Sequence, residues 1–189
     1  MAKVTGSLRD RLSLIPYFAI LLWWVIRLST TGRLSFEAGI TLGVLSHFGL
    51  LIVSSLTPVF QGVDSPHFID GFKHSLRPAA LYAMLAAVST VAFHHIVHKQ
   101  ATELRQLERE RFISQQLGSD ASYAALQAED PQLAQLSRED AQQRAMESLR
   151  FQFNPLWHFT ASLLLWIAAA MSTSFFMSLL GRWLRAWPS

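Results

Sequence analysis

The chain has 189 residues, of which 51% are hydrophobic and only 15% charged, against roughly 25% charged in soluble domains. Its net charge is +3, but the basic residues stand at the ends of apolar runs or among acids rather than in one patch, which excludes nucleic acid as a partner. The absence of cysteine excludes disulfides, thiolate zinc sites and cysteine nucleophiles.

The first eleven residues are short and basic, with Lys3, Arg9 and Arg11 against Asp10. The first apolar run, Leu12 to Ile26, extends to Leu28 if Arg27 snorkels to the membrane surface. Pro16 falls in the first turn, where a missing N–H costs little. Trp23 and Trp24 stand near the far end, where indoles favour the headgroup zone. A signal peptide shares the positive start and apolar middle, but Ser29-Thr30-Thr31-Gly32 is a poor cleavage site and more spans follow, so this run is expected to be a span. Ser35 or Phe36 with Glu37 opens a second span, Ala38 to about Val59, closed by Pro58; about 20 apolar residues cross a hydrocarbon core of roughly 30 Å. Residues 61–75 read as a polar connection, with Phe68-Ile69-Asp70-Gly71-Phe72 as an interfacial turn or helix.

A third span runs from about Pro78 to His98. No helix breaker follows it, so one long helix is expected over 76–117, ending at Gly118 as C′ residue. Leu104, Leu107, Phe112 and Leu117 give its polar half a ragged apolar stripe that needs cover, and Met146, Leu149 and Phe151 of a returning helix are the expected cover. Ser119 or Asp120 caps a short helix to Ala128. Asp130-Pro131 is a restart signal, and Ser137-Arg138-Glu139-Asp140 is a capping-box variant before a helix to about Phe151. Asn154-Pro155, N-cap plus N1 proline, opens a fourth span from Leu156 to about Leu180. The exit, 181–187, is aromatic and basic, as suits an interface. There is no strand pattern and no internal repeat.

These elements predict an all-α integral membrane bundle of four transmembrane helices, with a helical hairpin between the third and fourth. The segments are 1–98 (three spans), 99–153 (the extramembrane hairpin) and 154–189 (the fourth span and tail). Four spans place both termini on one side. Lys3, Arg9, Arg11, Lys73, Arg77, Arg182 and Arg185 flank spans on that side, against Arg27 and Arg33 on the other, which predicts cytoplasmic termini.

Phe68-x-x-Gly71-Phe72-Lys73 ahead of span three, the long helix leaving that span, the acidic helical insert, and Phe153-Asn154-Pro155 ahead of span four together resemble a four-span bacterial membrane family of unknown function, found in Bacteroidetes and relatives. The family's Asn- or Asp-Pro step after span three is replaced here by His94-His95-Ile96-Val97-His98. The resemblance implies a multi-pass protein of the bacterial inner membrane. It implies no mechanism, because the family has no established activity.

Candidate sites are few. Gly39-x-x-x-Gly43 in span two, and Ala79, Ala83 and Ala87 in span three, are small residues four apart, which let helix backbones approach closely in lipid. They serve packing of spans two and three, or docking onto another protein. His47, one further step along span two, needs a partner at that depth. It is an interhelical hydrogen-bonding group, or a ligand for haem or chlorophyll, or a proton relay. His94 and His98, at i and i+4, form one helical face that can hold a metal; His158, at the start of span four, is a possible third ligand. The alternative is interfacial imidazoles facing headgroups. Ser172, Thr173, Ser174 and Ser178 line a solute path or bond back to their own helix.

No span carries an acid or lysine in its middle, which weighs against coupled transport, and no nucleophile elbow, phosphate loop or carboxylate pair indicates an enzyme. The expected function is therefore a non-catalytic accessory or assembly subunit of a larger membrane complex, with lipid and other membrane subunits as partners and no required cofactor. The alternatives are a haem-, chlorophyll- or metal-binding subunit of an electron-transfer or photosynthetic assembly using span histidines, and a small-solute transporter.

Overall fold

The computed structural model describes residues 13–61, 63, 67–129 and 133–186. All regular structure among them is helical. Helix α1, Ile15–Thr30, carries Pro16 in its first turn, where no intrahelical N–H bond is lost. The chain turns at Gly32, whose φ of 77° is left-handed and free of strain only for glycine. Helix α2, Phe36–Ser55, is capped by Ser35, whose Oγ accepts from the Ala38 N–H at 3.2 Å. A single turn, α3 (Thr57–Phe60), follows and contains Pro58.

Helix α4, Phe68–Ala92, starts ten residues ahead of the expected Pro78 and carries that proline inside. Phe68 stacks on Phe72 and meets Phe175 edge-on at 5.3 Å, so the early start covers aromatic surface that a loop would leave open. The expected unbroken helix over 76–117 is corrected as well. Phe93–Val97 forms a π-turn, with the His98 N–H donating to the Phe93 carbonyl at 2.7 Å, and His98 leaves helical geometry. Helix α5 then runs from Lys99 to Gln116. Helix α6 is Asp120–Glu129, a 3-10 turn covers Leu133–Gln135, and α7 is Arg138–Gln152. The Asp130-Pro131 signal lies outside the described residues. Ser137 caps α7 as expected, its Oγ accepting from Asp140 N at 3.1 Å. Helix α8, Pro155–Ala186, starts with Asn154 Oδ1 accepting from the N–H groups of Leu156 and Trp157.

Among the described residues three helical stretches are long and apolar enough to cross a membrane: Phe36–Ser55, Phe68–Val97 and Pro155–Trp183. Helix α1 is equally apolar but shorter, at 16 residues. The chain divides into two compact units, 1–90 with 160–189, and 91–159. The first has its core along α4, where Ala79, Tyr82, Ala83, Ala86 and Ala87 are wholly buried, together with Leu51 and Ala170. Its outer surface is apolar, with Phe18, Leu21, Val25, Leu45, Met84, Leu164 and Phe176 all exposed. An apolar exterior around a core that contains polar groups suits lipid and not water.

The second unit has its own small core. Leu117, Tyr123 and Ala141 are buried, with Ile113, Leu126, Leu136 and Ala145 packed against them. The Tyr123 hydroxyl sits among the carbonyls of Leu133, Leu136 and Ser137 at 3.0–3.3 Å. Arg138 bridges to Asp120 at 2.9 Å. Gly118 does not take the left-handed C′ conformation. Glycine is needed there because a Cβ would lie 2.5 Å from the Ser114 carbonyl oxygen.

Candidate functional site

A span of α2 with a histidine in its middle must satisfy two ring nitrogens without water. Helix geometry puts Gly39, Gly43 and His47 on one stripe, four residues apart, and all three are buried. Helix α1 offers the matching step, Trp23 and Arg27, also buried. Where the glycines leave no side chain, those of α1 settle. The Arg27 guanidinium donates to the Gly39 carbonyl. The Trp23 indole N–H donates to the Gly43 carbonyl at 3.0 Å. Cβ atoms built at Gly39 and Gly43 would come within 3.2 and 3.3 Å of Arg27. The motif is thus a groove for two long side chains of α1.

Two expectations are corrected by this arrangement. Arg27 is only 5% exposed and does not snorkel; a carbonyl of α2, opened by the missing Gly39 side chain, receives its charge instead. Trp23, at 2% exposed, is not a headgroup-facing indole.

His47 completes the stripe. Its ring lies on the Trp23 indole, meets Tyr82 edge-on at 5.9 Å, and is tilted against Trp166 at 5.0 Å. Nδ1 is 2.8 Å from the Tyr82 hydroxyl and Nε2 is 3.3 Å from Thr90 Oγ1. The Thr90 hydroxyl is already donating to the Ala86 carbonyl at 2.8 Å, so Thr90 accepts from His47. This orders the chain of donors: Tyr82 O–H to Nδ1, Nε2–H to Thr90, and Thr90 O–H to the backbone. This order matches the Nε2–H tautomer of an imidazole, with both nitrogens used inside the protein. A haem or chlorophyll ligand needs one nitrogen bare and facing open space. Chemically the arrangement is a rivet joining α1, α2, α4 and α8. Beside it, the Trp24 indole donates to Ser89 Oγ at 3.1 Å.

The small residues of α4 are brought to the same core: Ala79, Ala83 and Ala87 are all fully buried. Nothing in the sequence beyond their positions marks Tyr82, Thr90, Trp23 and Trp166 as partners of His47. The available signal was the shared four-residue step of Trp23–Arg27 and Gly39–Gly43–His47, and Tyr82, Ala86 and Thr90 repeating at the same step on α4.

The second histidine group is arranged differently from the expected i,i+4 face. The π-turn carries the 93–98 segment out of register, and its chemistry falls to His95, whose Nε2 lies 3.1 Å from His158 Nδ1. His94 and His158 have ring centroids 5.6 Å apart, whereas the His98 ring lies against Phe93 at 5.4 Å. Thr102 Oγ1 donates to the His94 carbonyl at 2.9 Å, filling the place a regular helical N–H would hold. Among the described residues no three His, Asp or Glu side chains converge at metal-binding spacing.

On α8, Ser172, Thr173 and Ser178 bond back to carbonyls of their own helix at 2.9–3.0 Å. Ser174 is fully buried, and its hydroxyl has no partner among the described residues. No family model matches the sequence, no curated protein matches it, and no solved structure matches its fold.

Proposed function

We propose that the protein is a four-span, non-catalytic accessory or assembly subunit of a larger bacterial membrane complex, and that the 99–153 hairpin is the element that meets the partner. The observation that carries this reading is the orientation of α5. Its covered side holds Thr102 and Leu117, both buried, and Ile113, which packs on the hairpin core. Leu104, Leu107 and Phe112 are 61%, 48% and 53% exposed. At 3.6 residues per turn these three fall within roughly 140° of arc, opposite the covered side. The expected cover is partial: Met146 lines a hollow beside Leu107, Leu149 is buried, and Phe151 is itself 53% exposed. An apolar stripe on a helix outside the spans supports a protein partner.

The four-span topology is part of the same reading. At 1.5 Å per residue, the 16 residues of α1 cover about 24 Å, short of the hydrocarbon core. Trp23 and Arg27, buried against α2, support its membership of the bundle, with local thinning of the bilayer absorbing the mismatch. Basic flanks put the termini in the cytoplasm and the hairpin on the other face of the inner membrane.

The test is a photoreactive amino acid at Leu104 or Leu107 of the full chain, activated in native membranes. This reading predicts an adduct with a second membrane protein. Adducts with lipid alone would show that the stripe rests on the bilayer and would overturn it.

A further inference from the structure

One cleft in the first unit plays no part in the helix packing around His47. It has a volume of about 300 Å³, at the lower end of the roughly 300–1,000 Å³ of small-molecule sites. Among the described residues three stretches line it: Ser13 and Pro16 at the start of α1, Thr57, Pro58, Gln61 and Val63 after α2, and His74, Arg77, Pro78 and Leu81 of α4.

The lining is layered. At the start of α1 and on α4 the polar member lies toward the end of the apolar run and the apolar member lies deeper; after α2, Gln61 lies outside Pro58, with buried Thr57 beside Pro58 and Val63 beyond. Ser13 precedes Pro16, Gln61 follows Pro58, and His74 and Arg77 precede Leu81. Arg77 and His74 are exposed and one helical turn apart on α4, and among the described residues neither has an ion-pair partner. A guanidinium and an imidazole at the mouth, with proline and leucine beneath, match an anion that carries an apolar tail. They fit a free anion poorly, because it would leave the deep wall without cover. The mouth is at the end of a membrane-spanning stretch, the depth at which lipid phosphates lie.

We propose that this cleft is a binding site for an anionic phospholipid. Arg77 and His74 hold the phosphate, Arg77 through paired N–H donors, and Pro16, Pro58 and Leu81 cover the glycerol and the first acyl carbons. The site rests on the membrane character of the three long helices and is independent of the partner proposed for the hairpin.

The full chain in nanodiscs of neutral lipid is given a photoreactive phosphatidylglycerol, with the matching diacylglycerol as control. The expected result is labelling of peptides within 57–81 by the phospholipid and not by the diacylglycerol, with Arg77→Gln lowering it about tenfold and Arg33→Gln leaving it unchanged. Equal labelling by both lipids, or none in 57–81, overturns the proposal. So does displacement of the phospholipid by inorganic phosphate at equal concentration, which would make this a free-anion site. If Arg77→Gln does not fold, the wild-type comparison of the two lipids still decides.

Discussion

The imidazole of His47 lies flat on the indole of Trp23, with ring centroids 4.1 Å apart and planes 14° from parallel. Each ring also spends its N–H groups on a different element, Trp23 on the Gly43 carbonyl and His47 on Thr90. The contact therefore ties α1 to α2 by stacking and by the Trp23–Gly43 hydrogen bond, and His47 ties α2 to α4 through Tyr82 and Thr90.

Graded losses should follow from cutting this tie. Tyr82→Phe removes one donor and leaves His47 Nδ1 unsatisfied, a cost of about 1 kcal/mol inside a membrane protein. Trp23→Ala removes the stacking surface and opens a cavity, which costs about 3–5 kcal/mol in a packed core. Thermal unfolding in detergent should rank wild type above Tyr82→Phe and that above Trp23→Ala. Equal midpoints would show that His47 joins nothing.

The groove beneath Arg27 makes a second prediction. A Cβ at Gly43 would meet the Arg27 side chain at 3.3–3.4 Å, a contact that a flexible side chain can relieve. Gly43→Ala should therefore be mild. Gly43→Leu must displace both Arg27 and Trp23, at a cost of about 1–3 kcal/mol for overpacking. The check is the same unfolding measurement, with near-ultraviolet circular dichroism following the Trp23 environment. A Gly43→Leu protein as stable as wild type would contradict the groove.

In the hairpin, Gly118→Ala puts a methyl group against a backbone carbonyl that has little freedom to yield. The turn between α5 and α6 should open, and Leu117 and Tyr123 should lose their burial. Limited proteolysis is expected to cut within 117–137 several-fold faster than in wild type, a rise that roughly 1 kcal/mol of local destabilisation would produce. Unchanged cleavage would mean that the turn does not depend on this glycine.

Much of the fold was legible in the sequence because lipid imposes long apolar runs and because Ser35, Ser137 and Asn154 are strong caps. The early start of α4 was not, because Pro78 and the charges around it resemble a helix boundary and the covering Phe175 is distant in sequence. The π-turn was hidden too; nothing in His94-His95-Ile96-Val97-His98 distinguishes an i→i−5 bond from a regular turn until Thr102 supplies the replacement donor. At the candidate site, the depth of His47 showed that it needed a partner, and Gly39 and Gly43 showed a close approach. Which helix approached was not readable, since the alanines of α4 offered an equally good match. Arg27 was misplaced for a related reason: snorkelling is the usual fate of a basic residue near a span end, and nothing in the sequence shows that the bare Gly39 carbonyl is there to receive the guanidinium.

The most direct test of the accessory-subunit reading is purification from native membranes in mild detergent, comparing wild type with a Leu104→Glu, Leu107→Glu double variant. Both positions are exposed, so the variant should fold and insert normally. The account predicts that wild type brings a second membrane protein with it in constant ratio and that the variant runs alone. A wild-type protein that runs alone as a monomer at every salt and detergent condition, or a variant that retains the same partner, would contradict it.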